Sequence, residues 1–226
     1  MDAILRFDRL LVRHDPERTP RPEPGWFDPD WWRTRHTARS LDGGRGAALA
    51  VDGPPGPAVL RHYRRGGWVA RVNADRYLWT GLQRTRPWRE WQVIRELWLA
   101  GLPVPQPLAA GVWRGYGPVY RGALLTARIH ARSLTEGAGA LSADDWFRLG
   151  RLVAAFADAG LAHPDLNAGN VLVDDDGGFW LIDFDRARLL DRRGPTRTML
   201  ARLTRSLRKQ GLAHDPVALA RGAAVG

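Results

Sequence analysis

Apolar and polar residues alternate from Ile4 to Val12, the period of a half-buried strand, before a proline-rich charged stretch. Phe27-Asp28-Pro29-Asp30-Trp31-Trp32 reads as a short helix beginning near Asp28. From His36 to Tyr63 short apolar runs are punctuated by Gly43-Gly44-Arg45-Gly46 and Asp52-Gly53-Pro54-Pro55-Gly56, which predicts three antiparallel strands. After an Arg-rich connector, Trp88, Trp91, Ile94, Leu97 and Trp98 fall on one face of a helix over 86–100, stopped by Gly101 and Pro103. Two strands, Leu108–Trp113 and Val119–Ile129, flank the turn Arg114-Gly115-Tyr116-Gly117. The second half turns helical. Ser142 and Asp145 form a capping-box pattern ahead of Trp146, Leu149, Val153, Phe156 and Gly160 on one face. Two short apolar runs, Val171–Val173 and Phe179–Ile182, enclose the turn Asp174-Asp175-Asp176-Gly177-Gly178, and a basic helix is predicted from Thr196. The pattern predicts an α+β protein: one domain over 1–226, with an antiparallel-sheet lobe to about residue 125 and a mainly helical lobe from about 126.

Composition narrows the function classes. The 226 residues hold 34 Lys+Arg against 24 Asp+Glu, a net charge of +10 that points to an anionic partner. Lys209 is the single lysine, so the charge is arginine, and both Schiff-base chemistry and a P-loop lysine are excluded from the body of the chain. The absence of cysteine removes disulfides, thiol chemistry and cysteine-ligated zinc. No apolar stretch approaches the roughly 18 residues of a membrane span, and the first fifteen residues are too charged for a secretory signal.

The chemistry concentrates in His163-Pro-Asp165-Leu-Asn167-Ala-Gly-Asn170 and, thirteen residues after Asn170, Asp183-Phe184-Asp185. Protein kinases place an H-R-D…N loop and a D-F-G metal motif in this order. The spacing has a physical reason: the loop presents Asp165 to an acceptor hydroxyl and Asn170 to a metal. A hairpin then carries the chain out and back, so that Asp183 returns beside Asn170. Asp174, Asp175 and Asp176 are read as turn acids. Gly43, Gly44 and Gly46 sit between two predicted strands, as a phosphate-covering loop or an ordinary hairpin turn would. Arg61 occupies the place of the strand lysine that holds nucleotide phosphates, with His62, Arg64 and Arg65 as rivals. Glu90 on the Trp-rich helix is the candidate ion-pair partner, with Glu96 competing.

These residues, with Val59–Gly67, Asp75–Thr80, Gly101-Leu-Pro-Val-Pro105 and Leu181–Arg186, resemble the 3-deoxy-D-manno-octulosonic acid (Kdo) kinases, relatives of the heptose kinases of lipopolysaccharide assembly. The resemblance runs over roughly residues 25–210. It implies a protein-kinase-like two-lobe fold and transfer from Mg·ATP to the 4-hydroxyl of Kdo on a lipid A precursor, at the cytoplasmic face of the inner membrane. On that reading Asp165 orients the hydroxyl and Asn167 fixes the loop or the acceptor. Asn170 and Asp183 hold Mg²⁺, and Asp185 is a second metal contact or a brace. Arg61, Glu90 and the glycine turn serve ATP.

Charge placement fits an anionic acceptor. Residues 61–96 hold nine arginines against Asp75, Glu90 and Glu96; residues 192–209 hold six arginines and Lys209 with no acid. The second segment spaces Met199-Leu200, Leu203 and Leu207 with Arg202, Arg205 and Arg208 as a basic amphipathic helix, suited to an anionic membrane surface or to packing on its lobe. Trp68 and Trp79 are candidate interfacial residues. Nucleic-acid binding, which the basic charge invites, would leave Asp165, Asn170 and Asp183 idle, so no nucleic acid is expected as a partner. An aminoglycoside-type or protein kinase is the alternative within kinases.

Overall fold

The computed structural model describes residues 2–41, 48–64, 75–137 and 141–225. The chain divides into two units, residues 1–92 with 106–128 and residues 93–105 with 129–226.

The first unit is built on one antiparallel sheet. Its strands are β1 (Ala3–Phe7), β2 (Leu10–His14), β3 (Thr37–Ser40), β4 (Ala48–Asp52), β5 (Ala58–His62), β6 (Tyr77–Leu78), β7 (Pro107–Arg114) and β8 (Val119–Ala127). They lie in the order β1-β2-β7-β8-β5-β4-β3, with β6 also on β8. The three strands expected between His36 and Tyr63 are β3, β4 and β5, and the alternation at Ile4–Val12 is a hairpin, β1 with β2. Its tip, Asp8-Arg9, puts Asp8 at φ 47, a left-handed conformation that Asp tolerates better than most residues. Strand β6 was hidden in the Arg-rich connector, because two residues carry no periodicity.

One face of the sheet is covered by a short 3₁₀ turn, Pro24–Phe27, and by α1 (Pro29–Arg35), whose Asp28 side chain caps the N-terminus by accepting from the Asp30 N–H. Trp26, Phe27 and Trp32 are buried against Leu10, Val12, Leu60 and Leu125, and the Trp32 indole N–H donates to the Trp26 carbonyl at 2.8 Å. That bond lets a tryptophan be fully buried without stranding its polar atom. Helix α2 (Arg86–Leu99) buries Trp88, Trp91, Ile94 and Leu97 of the predicted face and leaves Trp98 half-buried, and the unit boundary falls within it. Gly101 follows at φ 76, where a side chain would be strained.

The second unit contains β9 (Ala131–Ser133), α3 (Leu134–Gly137), α4 (Ala143–Asp158), β10 (Leu161–Ala162), β11 (Val171–Asp174), β12 (Phe179–Leu181), β13 (Arg188–Leu189), α5 (Thr196–Lys209) and α6 (Pro216–Ala224). The capping box opens α4: the Ser142 hydroxyl accepts from the Asp145 N–H at 3.2 Å, and the Asp145 carboxylate accepts from the Ser142 N–H at 2.8 Å. Helix α6, which the short apolar tail did not announce, packs closely on α4. A Cβ on Gly150 would lie 2.1 Å from the Leu219 carbonyl oxygen, and one on Gly222 2.0 Å from that of Phe147. Glycine at both positions sets the helix separation. Strands β12, β11 and β9 form the hairpin sheet, and β10 pairs with β13.

Helix α5 is basic and amphipathic, as its spacing predicts. Of its apolar stripe, however, Met199, Leu203 and Leu207 are buried within the protein and Leu200 is half-buried, so little apolar surface of the helix is left for a bilayer. Arg197, Arg202, Arg205, Arg208 and Lys209 face solvent. Among the described residues no helix is long and apolar enough to cross a membrane.

Candidate active site

The candidate residues fall in both units. In the first, β5 alternates so that Ala58 and Leu60 point into the core while Arg61 faces the other way. The strand lies between β4 and β8, which fixes Arg61 opposite Ala48 and Leu124. The Arg61 guanidinium donates to Oε1 of Glu90, and the Tyr63 hydroxyl donates to Oε2, so both carboxylate oxygens are engaged. Glu90 is 2% exposed, whereas the rival Glu96 lies exposed on the same helix. A buried carboxylate is tolerated because cation and hydroxyl meet it. Replacing Glu90 with Ala is expected to cost roughly 2–4 kcal/mol of stability, against less than about 0.5 kcal/mol for Glu96→Ala. Urea unfolding of the two variants checks it; equal losses would count against a structural pair.

The rivals of Arg61 separate. His62 points to the opposite face, where its Nε2 lies 2.9 Å from the Phe27 carbonyl oxygen and its ring stacks on Trp113 at 6.0 Å. Burial is the main cause pushing the pKa of this half-buried histidine down. Arg64 is exposed. Arg65 and Trp68 lie outside the described residues, as do Gly43, Gly44 and Gly46 in the β3–β4 connection.

In the second unit, β10 delivers the chain to His163-Pro164-Asp165, and buried Leu166 and Ala168 pin the following turn. The Asp165 backbone carbonyl accepts from two side-chain amides, Asn167 Nδ2 at 2.9 Å and Asn170 Nδ2 at 3.0 Å. Asn167 Oδ1 also accepts from the Gly169 N–H at 2.9 Å, and the Ala168 N–H donates to Ser206 Oγ on α5 at 3.1 Å. The loop is thus tied at three points around Asp165, and Asn167 is one of the ties. With Asn170 Nδ2 engaged, its Oδ1 is the atom left for a cation.

The hairpin β11–β12 returns the chain as its spacing requires. The Ile182 N–H donates to the Asn170 carbonyl at 3.0 Å, which brings Asp183 alongside the loop. Phe184 is fully buried, with its ring 5.4 Å from that of His163, so the two motifs pack on each other. Asp183 is exposed and holds φ 62, one of two described non-glycine residues with positive φ. Strain of this kind persists where surrounding structure imposes it. Asp185 is half-buried in the same turn. The turn acid Asp174 behaves as expected: its carboxylate accepts from the Gly178 N–H at 2.6 Å and the Trp180 indole at 2.7 Å, and the indole bond holds its pKa low.

Three contacts escaped the sequence reading. Tyr63 stands two residues after Arg61, on the same strand face, and that period was the available signal. Ser206 ties α5 to the His163–Asn170 loop, and only the fold brings them together. Arg186, next after Asp-Phe-Asp, donates from Nη1 to Asp165 Oδ2 at 3.2 Å, with side-chain exposures of 68% and 41%.

Electrostatics predict an acid-labile protein. Burial is the main cause lowering the pKa of His163, His62 and His14 below 6.5, with nearby carboxylates opposing it at each. A lowered histidine binds its proton more readily unfolded, so its contribution is complete above about pH 6.5 and is lost as pH falls through the folded value. Asp145 and Asp174, lowered chiefly by the Ser142 backbone bond and the Trp180 indole, add a second loss below about pH 4. The urea midpoint should be flat near neutrality and decline in those two windows; a midpoint rising from pH 7 to 5 would contradict this.

A family model described as "Lipopolysaccharide kinase (Kdo/WaaP) family" matches residues 29–221. The chain belongs to that family. Among curated relatives, the "3-deoxy-D-manno-octulosonic acid kinase" of Xanthomonas campestris pv. campestris (strain B100) is 50% identical over 208 residues, covering 88% of this chain and 80% of that protein. The protein of the same name from Xylella fastidiosa (strain 9a5c) is 46% identical over 201 residues, with the same coverage. A third, from Stenotrophomonas maltophilia (strain K279a), is 46% identical over 182 residues, covering 77% and 70%. A solved structure titled "WaaP in complex with acyl carrier protein" aligns at TM-score 0.57 and 19% identity, over 87% of this chain and 86% of that one, a likeness of fold. This Kdo/WaaP-family protein is therefore a lipopolysaccharide core kinase, a phosphotransferase with an alcohol acceptor, on an α+β protein-kinase-like fold.

Proposed function

We propose that this kinase transfers the γ-phosphoryl group of ATP to the 4-hydroxyl of Kdo on a lipid A precursor, with Asp165 as the acceptor-orienting base. The observation that carries it is the loop geometry: two asparagine amides fix the Asp165 backbone, and the Asn170–Ile182 bond draws the Asp183 turn to the same loop. The relatives' names supply the acceptor sugar, 3-deoxy-D-manno-octulosonic acid.

A sugar hydroxyl is a weak acid, so Asp165 aligns it and takes its proton late in the transfer. The hydroxyl oxygen bonds to the γ-phosphorus as the bond to the β–γ bridging oxygen breaks, and ADP leaves. Arg61, held by Glu90 and Tyr63, presents its guanidinium to the nucleotide phosphates with the planar fork suited to them. Gly43, Gly44 and Gly46, which lie outside the described residues, are assigned to the same phosphates. Asn170 Oδ1 and the carboxylates of Asp183 and Asp185 are hard oxygen donors that fit Mg²⁺, and these residues would hold it. When bound, Mg²⁺ neutralises phosphate charge. Asn167 acts by bracing the loop.

A lipid-borne acceptor places the enzyme at the cytoplasmic face of the inner membrane as a peripheral protein, where its net charge of +10 suits anionic lipid. The direct test is transfer of label from γ-labelled ATP. The Kdo-bearing lipid A precursor should gain one phosphate, lost when its Kdo is removed. Label passing instead to an aminoglycoside or a protein, with none on the Kdo lipid, would overturn the assignment.

A further inference from the structure

Away from the nucleotide and acceptor residues, the tips of two hairpins in the first unit enclose a cavity of about 940 Å³. Strands β1–β2 contribute Arg6 and Arg9; β7–β8 and its turn contribute Arg114 and Tyr116, and Trp79 follows β6. None of the three arginines makes an ion pair with a described residue, whereas Arg13, Arg33, Arg61, Arg121, Arg148 and Arg193 do. Asp8 is the one acid in the lining, leaving an excess of two positive charges.

The arginines are arranged with aromatic rings. The Arg9 guanidinium lies 3.7 Å from the centre of the Tyr116 ring, and that of Arg114 4.8 Å from the centre of Trp79. Beside them stand two of the most exposed large apolar side chains, Tyr116 at 83% and Ile4 at 53%. Ile4 shares the outward face of β1 with Arg6. Exposed apolar side chains grouped with unpaired cations are unlike a solvated surface, where burial of the former would be favoured.

We propose that this hairpin-tip patch is the surface by which the kinase docks on an anionic phospholipid bilayer. The inference rests on the reading that its acceptor is lipid-borne. Arginines meet headgroup phosphates while Tyr116, Ile4 and the half-buried Trp79 enter the interfacial layer, where amphipathic rings and long cationic stems are favoured. Charge alone would not choose lipid over nucleic acid. The rings choose: one face of each is already covered by a guanidinium, which removes a base-stacking platform, and the aliphatic Ile4 offers nucleic acid nothing. The cations of α5 differ in kind, because the apolar stripe beneath them is buried and they attract a membrane by charge only.

Flotation with vesicles of phosphatidylethanolamine and phosphatidylglycerol (7:3), against phosphatidylcholine vesicles, tests the patch. Wild type should bind the anionic vesicles alone. The triple variant Arg6→Glu, Arg9→Glu, Arg114→Glu should bind more than about a hundred-fold less, since each cation at such a surface is worth roughly five-fold. These side chains are outside the core, so its melting temperature should match wild type. Because the chain has no cysteine, Tyr116→Cys creates a unique site for an environment-sensitive dye, whose emission should shift to the blue on anionic vesicles. No shift at residue 116, or binding abolished by Arg197→Glu, Arg202→Glu, Arg205→Glu and untouched by the patch variant, overturns the proposal. So does binding of nucleic acid or an acidic protein through the patch with no binding to vesicles. A deacylated, water-soluble Kdo acceptor separates this from the functional reading. The patch variant should phosphorylate it normally and fail with acceptor in vesicles. Wild type inactive on both would defeat the functional reading, while the vesicle measurements judge the patch by themselves.

Discussion

Asp165→Asn should lower phosphoryl transfer by roughly 10²–10⁴-fold while ATP binding stays within a factor of two or three, the range found when a positioned proton acceptor is removed. The side chain keeps its shape, and the ties around it run through its backbone carbonyl, which the substitution leaves alone. The loop should therefore hold and the variant should melt as wild type does. The Arg186 contact to Oδ2 is weakened, but both side chains are substantially exposed, so little stability depends on it. Single-turnover transfer with saturating nucleotide, read beside nucleotide titration, separates chemistry from binding. A variant retaining more than about a tenth of the rate would show that Asp165 does not orient the acceptor. One that lost nucleotide binding in step with turnover would place it among the phosphate contacts.

Asp183→Asn should be nearly as damaging to turnover, by roughly 10²–10³-fold, with an opposite signature in metal dependence. It removes a carboxylate charge that would face Mg²⁺ and keeps a side chain that tolerates left-handed backbone, so φ 62 is no new burden. Raising Mg²⁺ or substituting Mn²⁺ should recover part of the loss in Asp183→Asn and none in Asp165→Asn. Asp183→Gly would relieve the backbone strain and should be at least as stable as wild type, though equally inactive. Metal-independent loss in Asp183→Asn would exclude the residue from the metal site. The two substitutions together separate the acceptor side of the chemistry from the phosphate side.

Several elements were legible because their signals are local. The Ser142/Asp145 box, the Asp28 cap, the tryptophan face of α2 and the hairpin between Asn170 and Asp183 each depend on residues within one turn or one strand pair. The missed pieces were short or non-local. Two-residue β6 has no period to detect, and α6 is an alanine-rich segment whose identity comes from packing on Gly150. The choice between Glu90 and Glu96 also lay beyond the chain: both sit on α2, and only the sheet's position against one face of that helix gives Glu90 its partners.

By itself, the sequence determined the order of the chemistry-bearing motifs, the α+β class, the arginine character of the charge and the exclusion of lysine and cysteine chemistry. These follow from residue identity and from spacings of a few residues, which local backbone geometry converts directly into faces and turns. Tertiary structure alone decided that Arg61 and Tyr63 converge on Glu90 and that Asn167 and Asn170 brace one carbonyl. It also decided that the apolar stripe of α5 is buried, while arginines with no ion pair to a described residue collect beside exposed Tyr116 and half-buried Trp79. Those outcomes depend on contacts between segments tens of residues apart, where burial and pairing choose among side chains that look equivalent along the chain.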